Sequence, residues 1–285
     1  MGIDKSSAVL ITGCSTGIGK ATAQKLVDDG WNVYATARKT DAIADLAGRG
    51  ARTLALDVTD ERSMAGAVSE IEQKEGSIGA LVNNAGYSQS GAIETVPMDS
   101  IRRQFETNVF GLMRMCQLVL PGMRRAGAGR IVNVSSMGGK VVFPGGGVYH
   151  ATKHAVEALS DALRWEVKGF GVDVVIIEPG LIKTQFGETA VGSIGEIRDD
   201  GPYGPFNAQV GQATAEAYEG PMAKLGAGPE AVASKIERAL SSRRPRPRYR
   251  VTPSAHMVMG MHSVLTDRGW DRFVGTQFSR PKPSE

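Results

Sequence analysis

The stretch GGGVYHATKHAVEAL, residues 145–159, places the phenol of Tyr149 one helical turn before the ammonium of Lys153. Side chains four residues apart share a helix face, so the two meet whether or not anything reacts there. A free tyrosine titrates at about 10, too high for base chemistry near neutrality. A cation one turn away favours the phenolate and pulls that value down, which makes the pair a candidate proton donor and acceptor. On spacing alone, a structural aromatic beside a lysine is the commoner arrangement. Two further polar residues weigh against it. Ser136 closes RIVNVSS thirteen residues before Tyr149, and Asn108 lies in ETNVFG, on a helical stretch expected to pack nearby.

The elements that must position these residues are legible as alternating patterns. Short apolar, β-branched runs predict strands at 7–12, 31–37, 51–58, 80–86, 130–136, 172–180 and 248–253. Helix-period segments fall at 20–30, 40–50, 60–76, from about Asp99 to Arg125, from Tyr149 to Gly169, and over 229–242. Strands this apolar, joined by helices, imply an α/β fold: a single doubly wound parallel sheet of about seven strands, flanked by helices, with 1–285 as one domain. Ligands of such sheets sit outside the carboxyl ends of the strands, where every candidate residue falls. Segment 185–230, with nine glycines and four prolines, reads as an irregular substrate lid, and 254–285 as a C-terminal extension.

The first strand runs into ITGCSTGIGK, with Gly13, Gly17 and Gly19 leading into a helix. Glycines there let backbone approach a pyrophosphate, and the helix N-terminus attracts its charge. A ribose-binding acid is expected at the end of the second strand. The sequence there reads YATARK, with Arg38 and Lys39 and no acid before Asp41. A guanidinium suits a 2′-phosphate, so NADP(H) is expected over NAD(H).

TGCSTGIG, LDV, NNAG, TNVFG, the Ser-to-Tyr spacing, YHATK and EPG occur in this order over residues 7–184. The combination resembles the short-chain dehydrogenase/reductases, and GCSTGIG, VYATAR, LDVTD, NNAGY, RIVNVSS and IIEPG resemble the hydroxysteroid-dehydrogenase-like and retinol-dehydrogenase-like branch. The resemblance implies a Rossmann-fold enzyme interconverting a ketone and a secondary alcohol. It implies Tyr149 as acid/base, Lys153 as its electrostatic partner and holder of the nicotinamide ribose, and Ser136 as hydrogen-bond partner of the substrate oxygen. Asn108 completes the set by fixing a water linked to Lys153. The family spacing selects Ser136 over Ser135, and strand alternation points Ser135 the other way. The resemblance further implies cofactor contacts from Ser15, Thr16, Ile18, Asp57, Val58, Asn84, Ala85, Gly86, Pro179, Gly180, Ile182 and Thr184, with Asn83 also lining the ribose and stabilising the central strand. It also implies a homodimer or homotetramer.

Substrate recognition is expected from Tyr87, Leu181, Phe186 and the VVFPGGG loop with Phe143, and more remotely from Tyr203 and Phe206. These suggest a largely apolar pocket for a lipophilic substrate such as a steroid. Glycines 145–147 suggest a wall of low volume that leaves room for a bulky molecule. Retinoids, quinones and other aldehydes or ketones are the alternative substrates. A non-catalytic NADPH sensor is the alternative of another class; it is disfavoured because Asn108, Ser136, Tyr149 and Lys153 are all present.

The bulk properties fit this reading. A net charge of +3 is too mild to imply a nucleic-acid partner. Cys14 and Cys116 are too few for a disulfide framework, and His256 and His262 lack the spacing of a helical metal pair. No run of eighteen apolar residues spans a membrane, and MGIDKSSAVLITG does not read as a secretory signal, so a cytoplasmic location is expected. The arginine-rich RRPRPRYR at 243–250 reads as a solvated connection, and the Met-rich 256–274 as core, pocket or subunit contact.

Overall fold

The computed structural model describes residues 2–194 and 201–281. Residues 195–200 of the expected lid and 282–285 of the C-terminal extension lie outside the described residues. The chain runs β1 (Ala8–Ile11), α1 (Gly17–Asp28), β2 (Val33–Ala37), α2 (Ala44–Gly48), β3 (Arg52–Ala55), α3 (Glu61–Glu75) and β4 (Ile78–Asn83). It continues through α4 (Met98–Phe105), α5 (Leu112–Ala126), β5 (Gly129–Val134), α6 (Gly147–Glu166) and β6 (Val172–Glu178). Then come α7 (Phe186–Ile194), α8 (Gly204–Glu219), α9 (Pro229–Ser241), β7 (Arg248–Arg250), α10 (Pro253–Val264) and α11 (Asp267–Val274).

The seven strands form one sheet in the order β3-β2-β1-β4-β5-β6-β7, every pairing parallel. Strand side chains alternate between two cores. Val9, Ile11, Val33, Ala35, Val132, Val175 and Ile177 face one layer, which α1 and α9 cover with Leu26, Val232 and Ile236. Leu10, Tyr34, Ile131 and Val174 face the other, covered by Met64 and Ile71 of α3, Met115 and Val119 of α5, and Val156 and Leu163 of α6. Burial on both faces is what makes these strands read as unbroken apolar runs. The edge strand β3 is the exception, with exposed ends. The order reverses between β1 and β4, and this switch point opens the crevice where the site forms.

Two expectations are revised. The long helix expected from Asp99 to Arg125 holds a π-helical turn, Glu106–Gly111, between α4 and α5, with Asn108 inside it. Segment 185–230 is largely helical rather than irregular, because its strongest breakers stand at helix ends: Pro205 lies in the first turn of α8, Gly220 caps its end, and Pro229 begins α9. The excursion leaves and rejoins the sheet at neighbouring points. Ile182 and Ala227 form a parallel bridge, with Lys183 N–H donating to Ala227 O at 2.9 Å and Ala227 N–H to Leu181 O at 3.0 Å.

The C-terminal extension forms a third apolar cluster, in which Val258, Met259 and Trp270 pack on Val141 and Phe143. Trp270 Nε1 donates to Val142 O at 3.2 Å, so α10 and α11 brace the loop that leads into α6.

Candidate active site

A cavity of about 1170 Å³ opens at the carboxyl ends of the strands. Its floor at one end is the turn between β1 and α1. Gly13 and Gly17 take left-handed conformations there, with φ of 73° and 56°. A Cβ on Gly13 would come within 2.9 Å of Ala85 Cα, and one on Gly19 would strike Gly13 O. The turn is tied to the end of β4: Asn84 Nδ2 donates to Thr12 O and Gly13 O at 3.0 Å each, and Thr12 Oγ1 accepts from the Asn84 and Ala85 amides at 3.0 and 3.1 Å. Ser15, Thr16, Ile18, Asp57, Val58, Gly86, Pro179, Gly180, Ile182 and Thr184 line the same cavity. Gly19 packs beneath the turn, and Asn83, expected at the ribose, is instead buried on Asn133 and Cys116, so both support the site from behind. Arg38 lines the cavity at the end of β2 and makes no ion pair among the described residues.

At the other end, α6 presents Tyr149 and Lys153 opposite Ser136, which follows β5 and caps a short 3₁₀ turn by accepting from Gly138 N–H at 3.0 Å. Lys153 Nζ lies 5.8 Å from the centre of the Tyr149 ring and donates to Val134 O at 2.9 Å. Both groups are desolvated. Burial raises the Tyr149 phenol above its ordinary value, and a hydrogen bond with Ser136 opposes that rise. Burial drives Lys153 down from 10.5 to about 8, while Glu157, one turn further along α6, pushes it back up. Burial is the largest influence on each partner and opposes the phenolate that the Lys153 spacing leads one to expect, because removing water penalises the charged form. Ser135 also lines the cavity, but its buried Oγ lies beside Gly139 and Glu157.

Asn108 stands behind this group. Its Nδ2 donates to Tyr87 O at 2.9 Å and to Thr152 Oγ1 at 3.1 Å, and its Oδ1 accepts from Tyr87 N–H at 3.1 Å. No hydrogen bond joins it to Lys153 among the described residues; the two flank Gly86, whose notional Cβ would lie 3.1 Å from Asn108 Oδ1 and 3.8 Å from Lys153 Nζ.

The substrate-side expectations divide. Tyr87 and Phe186 line the cavity, and Phe186 stacks 5.4 Å from Tyr149. Phe143 does not; it packs on Trp270 and His150. Leu181 is buried beside Gly226, and Tyr203 leaves the site to donate to Glu94 at 2.7 Å. Phe206 does not line the cavity either. Glycines 145–147 are not a substrate wall, because Val210, His150 and Ile93 fill the space beside them. The wall carries more polar groups than aromatic patterning suggested, including Ser88, Gln89, Gln185, Thr189 and Tyr218. Thr12, Thr152 and Tyr218 have no spacing signal in sequence; long-range contacts place them.

The short chain dehydrogenase family matches residues 7–192. The chain belongs to the short-chain dehydrogenase/reductase family. An NADPH-dependent 3-dehydrocapnine reductase of Ornithobacterium rhinotracheale is 36% identical over 273 residues, covering 92% of this chain and 94% of that protein. The oxidoreductase YbbO of Escherichia coli is 34% identical over 268 residues, 94% of this chain and 93% of that one. A short-chain dehydrogenase of Streptomyces avermitilis superposes with a TM-score of 0.80 at 34% identity, over 96% of this chain and 100% of that one. As a short-chain dehydrogenase/reductase, the protein is an oxidoreductase acting on alcohol and ketone groups through a nucleotide-binding Rossmann fold. Among its described residues no helix is long and apolar enough to cross a membrane.

Proposed function

We propose that this short-chain dehydrogenase/reductase uses NADP(H) to interconvert a ketone and a secondary alcohol on a lipophilic substrate. One observation carries the reading: Ser136, Tyr149 and Lys153 line one end of the cavity whose other end is the glycine turn and Arg38. The residues fit a dinucleotide. The turn is bare where a Cβ would collide, the N-terminus of α1 faces the cavity, and Arg38 is free for a 2′-phosphate. The nicotinamide, when bound, supplies or accepts the hydride.

The rest is the work of the chain. Ser136 Oγ hydrogen-bonds the carbonyl oxygen and holds it as negative charge builds. Tyr149 Oη delivers its proton to that oxygen in reduction and takes it back in oxidation. Lys153, held by Val134 O, presents its ammonium to the ribose hydroxyls and to the phenolate left after proton transfer. Burial keeps the phenol protonated, the form that reduction requires at its start. Phe186 and Met137 in the wall support a lipophilic substrate body, as in the hydroxysteroid- and retinol-dehydrogenase-like branch. A relative named as an NADPH-dependent reductase supports the same cofactor and direction.

NADPH oxidation screened across steroids, retinoids, quinones and long-chain ketones tests the proposal. Tyr149→Phe is expected to lower turnover by at least about a thousandfold while NADPH still binds; turnover retained in that variant refutes the mechanism. Arg38→Asp is expected to weaken NADPH by about tenfold or more relative to NADH, read from KM for each cofactor. An unchanged preference refutes the NADP(H) assignment.

A further inference from the structure

We propose that Tyr218 is a specificity-determining residue: its hydroxyl donates a hydrogen bond to a second oxygen that the substrate carries close to the reacting carbonyl. The preferred substrate is then a hydroxy- or oxo-substituted ketone rather than a plain one. This rests on the carbonyl-reductase reading above.

Tyr218 comes from α8, in the excursion, yet it lines the same cavity as Tyr149 and lies near enough to raise the Tyr149 pKa. Its ring has a defined seat. A Cβ on Gly187 of α7 would lie 2.8 Å from Tyr218 Cδ2 and 3.0 Å from Cε2, so the ring rests on bare backbone that only glycine provides. Burial lifts its own pKa to about 12, so at neutral pH it is a protonated donor.

That donor makes no hydrogen bond among the described residues, whereas Gln89, Ser193 and Thr189 of the same wall are already engaged. Gln89 Nε2 donates to Ser90 O and Ser193 O at 3.3 and 3.1 Å, Ser193 Oγ to Ala190 O at 2.7 Å, and Thr189 Oγ1 to Gln185 O at 2.9 Å. Because Tyr218 lines the cavity, a ligand there excludes water from its hydroxyl, and an acceptor on that ligand restores the bond. A plain alkyl ketone leaves it unmet. Sites built to bond a hydroxyl reject the analogue that lacks it for this reason.

The test compares 2-decanone with 1-hydroxy-2-decanone and 4-hydroxy-2-decanone in NADPH oxidation by the full-length enzyme. The wild type is expected to favour one hydroxyketone by roughly tenfold in kcat/KM, and Tyr218→Phe to bring that ratio close to unity. Using a ratio separates recognition from any influence of Tyr218 on the Tyr149 proton, which moves all three substrates alike. Gly187→Ala, which displaces the ring, is expected to lower the ratio too and covers the case of a poorly folded Tyr218→Phe. A wild-type ratio near one, or a ratio unchanged in both variants, overturns the proposal. Turnover of none of these ketones, nor of any in the broader screen, removes the carbonyl-reductase reading and this inference with it.

Discussion

His150 packs edge-on against Tyr149, with ring centres 5.7 Å apart, and Nδ1 lies 3.2 Å from Gly138 O. The carbonyl partner assigns the proton to Nδ1, and burial lowers the ring's pKa from 6.5 to about 4. The folded protein thus refuses a proton that the unfolded chain accepts between those values. Stability linked to His150 is fully present above about pH 6.5 and is lost as pH falls towards 4. The interval corresponds to roughly 3 kcal/mol. Urea unfolding midpoints measured from pH 7 to 4 are expected to fall in wild type and to fall less steeply in His150→Gln, whose amide can still donate to Gly138 O. Parallel slopes rule out His150 as the source. Its neighbour Tyr149 was legible because its partners are encoded nearby: Lys153 by helix spacing, Ser136 by strand end. The dominance of burial over the Lys153 charge was not legible, since it depends on walls contributed from across the chain.

The helices over the site hold to the body through buried polar contacts. Ser90 N–H donates to Ser193 Oγ at 2.9 Å, and Ala92 N–H to Asn207 Oδ1 at 2.9 Å. Asn207 is 1% exposed, so Asn207→Ala leaves the Ala92 amide buried without its acceptor. A cost of about 1–3 kcal/mol is expected. Because the contact joins α8 to the 88–96 loop and not to the glycine turn, KM for the ketone should rise several-fold while KM for NADPH stays within about twofold. Steady-state kinetics with each substrate varied decides this, and equal changes in both contradict it. The sequence pattern hides these helices because Pro205, Gly220 and Pro229, breakers in a helix interior, stand here at helix ends. Glycines 145–147 misled similarly. Gly145, at φ 77°, has its free space taken by Val210, a partner more than sixty residues away that no local pattern identifies. The π-helical turn around Asn108 was also hidden, since one wide turn barely disturbs helical periodicity.

At the scale of the molecule, the sheet was the most legible part. Its parallel, doubly wound character follows from apolar runs, helical crossovers and right-handed connection, whereas the order that puts the switch point between β1 and β4 is read from the structure. The substrate side was the least legible, because its residues come from α7, α8, the 137–146 loop and the 88–96 loop, which meet only in three dimensions. The Ile182–Ala227 bridge gives this division a practical meaning. The excursion enters and exits through one stapled neck, so everything beyond it can be exchanged without re-threading the sheet. The buried contacts of Ser193 and Asn207 add a condition: the 88–96 loop must travel with it. A chimaera taking residues 185–226 and 88–96 from the Ornithobacterium relative should keep wild-type NADPH affinity and acquire the donor's substrate profile. One taking 185–226 alone should unfold at a lower temperature. In engineering terms, the protein is a fixed nucleotide-binding chassis carrying a two-part interchangeable head, with the parting line drawn where Leu181 and Lys183 bond to Ala227.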